Sequence, residues 1–243
     1  MSTTRSRLVP TRTRRLRSLV LVAAASTMLL SGCAGAHPGV AAQVGDTTIT
    51  MQTIDDDAAT FCTAVRPQLG TGQTPTAVSM GFIRTIVLQN ALTQATAEQM
   101  AAEFGITPGP DYATALRSAE LQASALPAED RPTFAKLIAA STYQADITGQ
   151  IAKQQLIDAG TAEPTQEQIG QAAAKVWADY VARTDITIDP RFGLAADLNA
   201  PQDGSVSYPV SKQAKSGDKS EGFDLAQDAQ HAQTLPGSMR CSK

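Results

Sequence analysis

The chain has 243 residues, with 20 Lys and Arg against 23 Asp and Glu, 42% hydrophobic and 5% aromatic residues, three Cys and two His. These figures exclude a disulfide-rich miniprotein, a disordered acidic tail and a nucleic-acid binder with a strong basic field, and they leave little material for a zinc or iron site. The net charge of −3 conceals an uneven distribution: residues 1 to 32 carry six Arg and no acid, which leaves 14 bases against 23 acids, a net charge of −9, for the remaining 211 residues.

The Arg-rich start (Arg5, Arg7, Arg12, Arg14, Arg15, Arg17) leads into a twelve-residue apolar run, Leu19 to Leu30, followed by Ser31-Gly32-Cys33. A membrane-spanning helix needs roughly 20 apolar residues, so the run is too short for a mature anchor and reads as a cleaved signal peptide over residues 1–32. Leu30-Ser31-Gly32-Cys33 resembles a bacterial lipobox. The resemblance implies a diacylglyceryl thioether on Cys33 and cleavage after Gly32; the alternative is an ordinary secretory signal with a chance Cys. Arg14-Arg15 also raises the twin-arginine route, although Arg17-Ser18 stand where that motif wants a hydrophobic pair. Each acyl chain contributes about 0.8 kcal/mol per buried CH2, and two or three such chains anchor stably. The expected location is therefore the outer face of the bacterial cell membrane, above anionic headgroups that repel an acidic domain. Residues 33–41 have the small, flexible composition of a tether, and His37 lies in it.

Beyond the tether, Gly45-Asp46 between two β-prone runs predicts a hairpin over residues 42–50. Thr53 is expected to cap a helix, with Asp56 as its reciprocal partner and Ile54, Ala58, Phe61 and Val65 as its apolar stripe, ending at Gly70. Asp55-Asp56-Asp57 then reads as acids in a first helical turn, where they meet the positive end of the dipole, in preference to a metal or acid/base site. A long helix is expected from Thr76 to Phe104, opened by Pro75 and closed by Gly105, with Ile83, Val87, Ala91 and Ala95 on one stripe and Ala97, Ala101 and Phe104 extending another. A shorter helix follows from Asp111 to about Leu126, and Pro127 opens the next, which Gly160 ends. Thr165-Gln166-Glu167-Gln168 is a capping box for a helix whose stripe is Ile169, Ala173, Val176 and Tyr180, with Trp177 beside it as a core or groove residue.

After Arg183 the period turns alternating: Asp185-Ile186-Thr187-Ile188-Asp189 is a strand that Pro190 stops, and its economical partner is the hairpin near Val44 and Ile49. Pro190-Arg191-Phe192-Gly193 reads as a turn with a packed Phe. The fold class is thus mainly α: a helical domain of about five helices over residues 42–193, pinned by a small sheet made from its N- and C-terminal strands. Residues 194–243 are poor in large apolar residues and are expected to be a largely disordered tail that includes His231.

No Gly-rich phosphate loop, His-Glu-x-x-His or Gly-x-Ser-x-Gly occurs, and both His fall in segments expected to be flexible. No catalytic, cofactor or metal residues are assigned, and an uncharacterised hydrolase is the least favoured of three readings. With Cys33 taken by lipid, Cys62 and Cys241 form an even remainder outside the cytoplasm, which suggests a disulfide; the alternative is a buried thiol at Cys62 and a loose one at Cys241.

Val44-Gly45-Asp46-Thr47-Thr48-Ile49-Thr50 with its following helix, Phe82-Ile83-Arg84-Thr85-Ile86-Val87-Leu88-Gln89-Asn90-Ala91 and Glu103-Phe104-Gly105-Ile106-Thr107 resemble the N-terminal chaperone domain of the SurA/PrsA foldases. Asp185 to Gly193 is similar to the strand that closes this domain in actinobacterial lipoproteins of the group. The resemblance covers about residues 42–193 and implies binding of unfolded or partly folded exported polypeptides. The parvulin prolyl-isomerase domain is missing, since the Thr165–Arg183 helix leads straight to the closing strand, so isomerase activity is not implied. The competing expectation is a scaffold or adaptor lipoprotein that binds one folded cell-envelope partner.

Overall fold

The computed structural model describes residues 38–198, 211–212 and 224–243. Cys33, His37, the signal segment and most of the tether lie outside the described residues. Pro38–Lys243 form one compact unit.

Strands β1 (Val40–Val44) and β2 (Thr47–Thr50) pair antiparallel about the expected turn. Gly45 holds φ +51°, and an added Cβ would lie 3.0 Å from Gln99 Oε1, so both backbone and space favour glycine there. The Gln99 amide donates to Val44 O at 2.6 Å and to Thr47 Oγ1 at 3.1 Å, which fastens the hairpin to the long helix beside it. Helix α1 (Met51–Val65) begins three residues earlier than Thr53 suggested. Thr50 is its N-cap, taking the Thr53 N–H at 3.0 Å, while the Thr53 hydroxyl lies 2.8 Å from that of Thr50. The acidic triplet therefore lies beyond the first turn, so its placement there for the helix dipole is corrected: Asp55 instead pairs with Arg84 at 2.6 Å.

The segment expected to begin a helix at Thr76 starts with a short strand, β3 (Ala77–Ser79). Helix α2 (Met80–Phe104) follows, capped by the Ser79 hydroxyl and ended by Gly105 at φ +65°. Helix α3 (Pro110–Gln122) is started by Gly109, whose N–H donates to the Asp146 carboxylate at 2.5 Å. Helix α4 (Arg131–Asp158) opens at Arg131-Pro132, with Pro127 in the preceding turn rather than the first helical position. Helix α5 (Gln166–Arg183) carries the full capping box between Thr165 and Gln168.

Helix α4 is the central element, packed by α2, α3 and α5 and touched by α1. Its buried residues circle the axis accordingly: Phe134, Leu137, Ala140, Tyr143, Ile147 and Ile151. Tyr112 of α3 meets Tyr143 edge to face with centroids 4.7 Å apart. Strand β4 (Ile186–Ile188) pairs antiparallel with β1, giving the sheet order β2-β1-β4. The fold is mainly α, its five-helix body closed by a sheet made from both of its ends. Pro190–Phe192 form a 3-10 turn, and Phe192 packs on the core.

A largely disordered tail over residues 194–243 is corrected for residues 224–243. They form helix α6 (Leu225–Ala232), a 3-10 turn and strand β5 (Arg240–Ser242), which pairs antiparallel with β3. Leu194 is buried as well. Average composition misled here because a few small contacts suffice: Ala232, Leu235 and Cys241 are buried although Leu225 and Met239 are exposed, and His231 sits in the last turn of α6. Residues 199–210 and 213–223 lie outside the described residues.

Candidate polypeptide-binding cleft

The body buries its apolar stripes efficiently, so the places where it does not are informative. Helix α2 ends at Phe104, one residue before the left-handed Gly105, and there its ring is 43% exposed. On α5, Ala172, Val176 and Tyr180 follow at i, i+4 and i+8, a row that faces the end of α2 and Gln155 of α4. These residues enclose a cleft of about 200 Å³ with a mainly apolar floor.

Charges rim the cleft in balanced pairs. Lys175 binds Asp179 at 2.6 Å along α5, and Arg183 binds Glu103 at 2.7 Å across from α5 to α2. The Arg183 guanidinium also lies 4.5 Å from the centre of the Tyr180 ring, a cation–π contact that holds the ring against the cleft wall. Burial raises the Tyr180 hydroxyl pKa above its ordinary value and the Glu103 carboxylate adds to this, while Arg183 opposes it. The phenol is therefore neutral at physiological pH and acts as an amphipathic wall. This arrangement suits capture of one or two apolar side chains from an extended or loop segment, with the paired charges left to meet its backbone and polar groups.

A second, more open hollow lies where α1, α2 and α4 meet, over Ala91, Ala95 and Leu137. Asp57 lines it, and its carboxyl pKa is raised by burial and then by the neighbouring Asp56.

The chain matches no protein-family model, no curated protein and no solved structure.

Of the residues weighed from the sequence for chemistry, only Asp57 of the acidic triplet lines either hollow. Cys62 and Cys241 are joined in a disulfide, with Cα atoms 5.6 Å apart, far along the chain from the cleft residues. Trp177 is half-buried between the two main core clusters and does not line the cleft. Among the described residues no group of three or more His, Cys, Asp or Glu is placed to hold a metal ion. Sequence periodicity missed Phe104 because it falls on an apolar stripe; the available signal was its position next to Gly105, in the last turn of the helix. Val176 and Tyr180 read as core for the same reason, and Tyr180 is indeed buried, yet one side of the row forms the cleft wall.

Proposed function

We propose that this protein is a lipid-anchored extracytoplasmic chaperone-like module that holds apolar segments of unfolded or partly folded exported polypeptides, without prolyl isomerase activity. The single observation that carries this reading is the cleft at the end of α2, where Phe104, the one exposed aromatic residue among the described residues, stands over an apolar floor. Support for the compartment comes from the Cys62–Cys241 disulfide, since such bonds persist in oxidising surroundings, and from the lipobox-like string ending at Cys33. The resemblance of residues 42–193 to the SurA/PrsA chaperone domain supplies the client class.

The test is suppression of aggregation by the chain from residue 34 onward, set against several chemically unfolded clients. Suppression is expected, and Phe104→Ser is expected to weaken it several-fold while leaving the helical spectrum intact. A well-folded chain that protects none of the clients would count decisively against the reading. The size of the cleft favours one alternative: about 200 Å³ takes a single protruding side chain as readily as a mobile client, which fits an adaptor with one folded partner. Cross-linking in cells separates the two, since one dominant partner points to the adaptor and many to the chaperone.

A further inference from the structure

Residues 224–243 reach the rest of the molecule in an unusual way. They are separated from Leu198 by 25 residues of chain, 199–223, and their main contacts gather at one place, the head of α2. Three attachments act there. Strand β5 pairs with β3 in the register Ala77↔Ser242, Val78↔Cys241 and Ser79↔Arg240. Asp228 of α6, 1% exposed, accepts the Ser79 N–H at 2.8 Å and the Ser79 hydroxyl at 2.5 Å. Cys241 is bonded to Cys62 of α1.

The first two attachments are small. A three-residue pairing, one buried carboxylate and the burial of Ala232 and Leu235 hold the twenty residues 224–243 only lightly, because ordering them costs conformational entropy at every residue. The third closes a loop with a sequence separation of 179 residues and removes most of that freedom. Both sulfurs are buried, Cys241 at 0% and Cys62 at 4% exposure, so an external thiol cannot attack the closed form without prior opening.

We propose that residues 224–243 are a strap that oxidation locks over the edge of β3. With both thiols reduced, the strap leaves as a unit and β3 presents an open strand edge at the head of α2; docking of the strap brings the thiols together, and oxidation then commits it. The chemistry is thiol–disulfide exchange with an oxidising disulfide of the oxidoreductase class. On the undocked strap the Cys241 thiolate attacks that disulfide to form a mixed disulfide, and as the strap docks the Cys62 thiolate displaces the partner sulfur. Two electrons pass to the partner, whose two sulfurs leave as a dithiol carrying the two protons. Burial of the product bond makes the lock one-way under mild reductant. The strap covers an edge that would otherwise offer unpaired N–H and C=O groups, and its own antiparallel seat on β3 shows that this edge accepts an extended chain with a buried side chain at its centre.

The proposal stands apart from the function proposed above, and its test reads structure alone. Hydrogen exchange is followed by mass spectrometry on the chain from residue 34 onward in three forms: oxidised, kept reduced from synthesis onward, and Cys62→Ser/Cys241→Ser. In both forms without the disulfide, amides of residues 77–79 and 224–243 are expected to exchange at least tenfold faster than in the oxidised form, while those of residues 139–152 in α4, although lowered by the fall in global stability, stay protected far beyond those of the strap. Unchanged protection of the strap would overturn the proposal, since the disulfide would then control nothing. Loss of protection throughout α4 would overturn it equally, since the strap would then be an inseparable part of the body. The reduced wild-type chain keeps the test sound if the serine variant alone fails to fold.

Discussion

Replacing Asp228 by Ala probes the least expected contact in the molecule, a carboxylate buried on α6 that caps a helix 149 positions earlier in the chain. Ser79 sits between two roles: its hydroxyl accepts the Phe82 N–H at 3.0 Å as the N-cap of α2, and its own N–H and O–H donate to Asp228. Removing the carboxylate leaves the buried Ser79 N–H without an acceptor, which costs about 1–3 kcal/mol, and deletes a charge-assisted bond worth about 1.5–3 kcal/mol. Relief of the desolvation of a buried charge returns part of this, so the net loss should be about 2–4 kcal/mol. For a body of this size that corresponds to a fall in Tm of about 4–16 °C. Asp228→Asn keeps the shape, with its carbonyl facing the Ser79 N–H and its amide able to donate to the hydroxyl, so the loss should shrink to about 1 kcal/mol. Urea unfolding of the oxidised protein, followed by circular dichroism at 222 nm, measures both. A loss below about 0.5 kcal/mol for the Ala variant, at unchanged m, would refute the assignment of this carboxylate as a helix cap in trans.

Three further outcomes follow from contacts elsewhere. Cys62→Ser/Cys241→Ser opens the loop of sequence separation 179, and chain entropy places its cost near 5 kcal/mol; thermal melts without reductant should show a fall in Tm of about 10–20 °C. Gly45→Ala must adopt φ +51° and press a Cβ against Gln99 Oε1, so urea titration should show a loss of about 1–2 kcal/mol, where a conservative exposed turn would show almost none. For Asp57, burial raises the folded-state pKa above the unfolded value, so the folded chain holds the proton more tightly; its contribution to stability declines as pH rises from the unfolded pKa through the raised one. Asp57→Asn should therefore stabilise the protein at neutral pH and leave no difference at the acid end, as urea titrations at several pH values would record.

Much of this architecture is written in local periodicity. The stripes of α2, α4 and α5, the stop at Gly105, the Thr165 capping box and the switch to alternation after Arg183 all reflect single-element physics that a sequence carries openly. Errors arise where the deciding partner is remote. Ala77-Val78-Ser79 is too short to announce a strand, and its partner, Arg240-Cys241-Ser242, lies more than 160 positions away in a polar segment. That segment looks structureless by composition because its order draws on one covalent bond and one buried carboxylate as much as on its few buried apolar residues, Ala232 and Leu235. At the start of α1, Thr50 and Thr53 are chemically equivalent caps, and only the hairpin pairing of Ile49 and Thr50 decides between them. The cleft was hidden for the converse reason: a stripe that packs a core and a stripe that lines a binding surface have the same period, and only the absence of a neighbour beside Phe104 tells them apart.

The position of the two features on α2 bears on how they relate. The strap docks at Ser79, immediately before the first residue of α2, and the cleft is built on Phe104, its last. Twenty-five residues at about 1.5 Å each set the two ends roughly 37 Å apart. A strap fastened at one end therefore cannot occlude the cleft at the other. Coupling between them would have to pass through α2 itself, a helix packed along α4 by Ala97, Met100 and Ala101, and such a packed element has no second arrangement on show here. The proposed oxidation of the strap and the proposed capture of apolar side chains are thus physically separate on one helix. Client binding at the cleft should be the same in the oxidised and the reduced chain, whereas the β3 edge responds to the thiols alone.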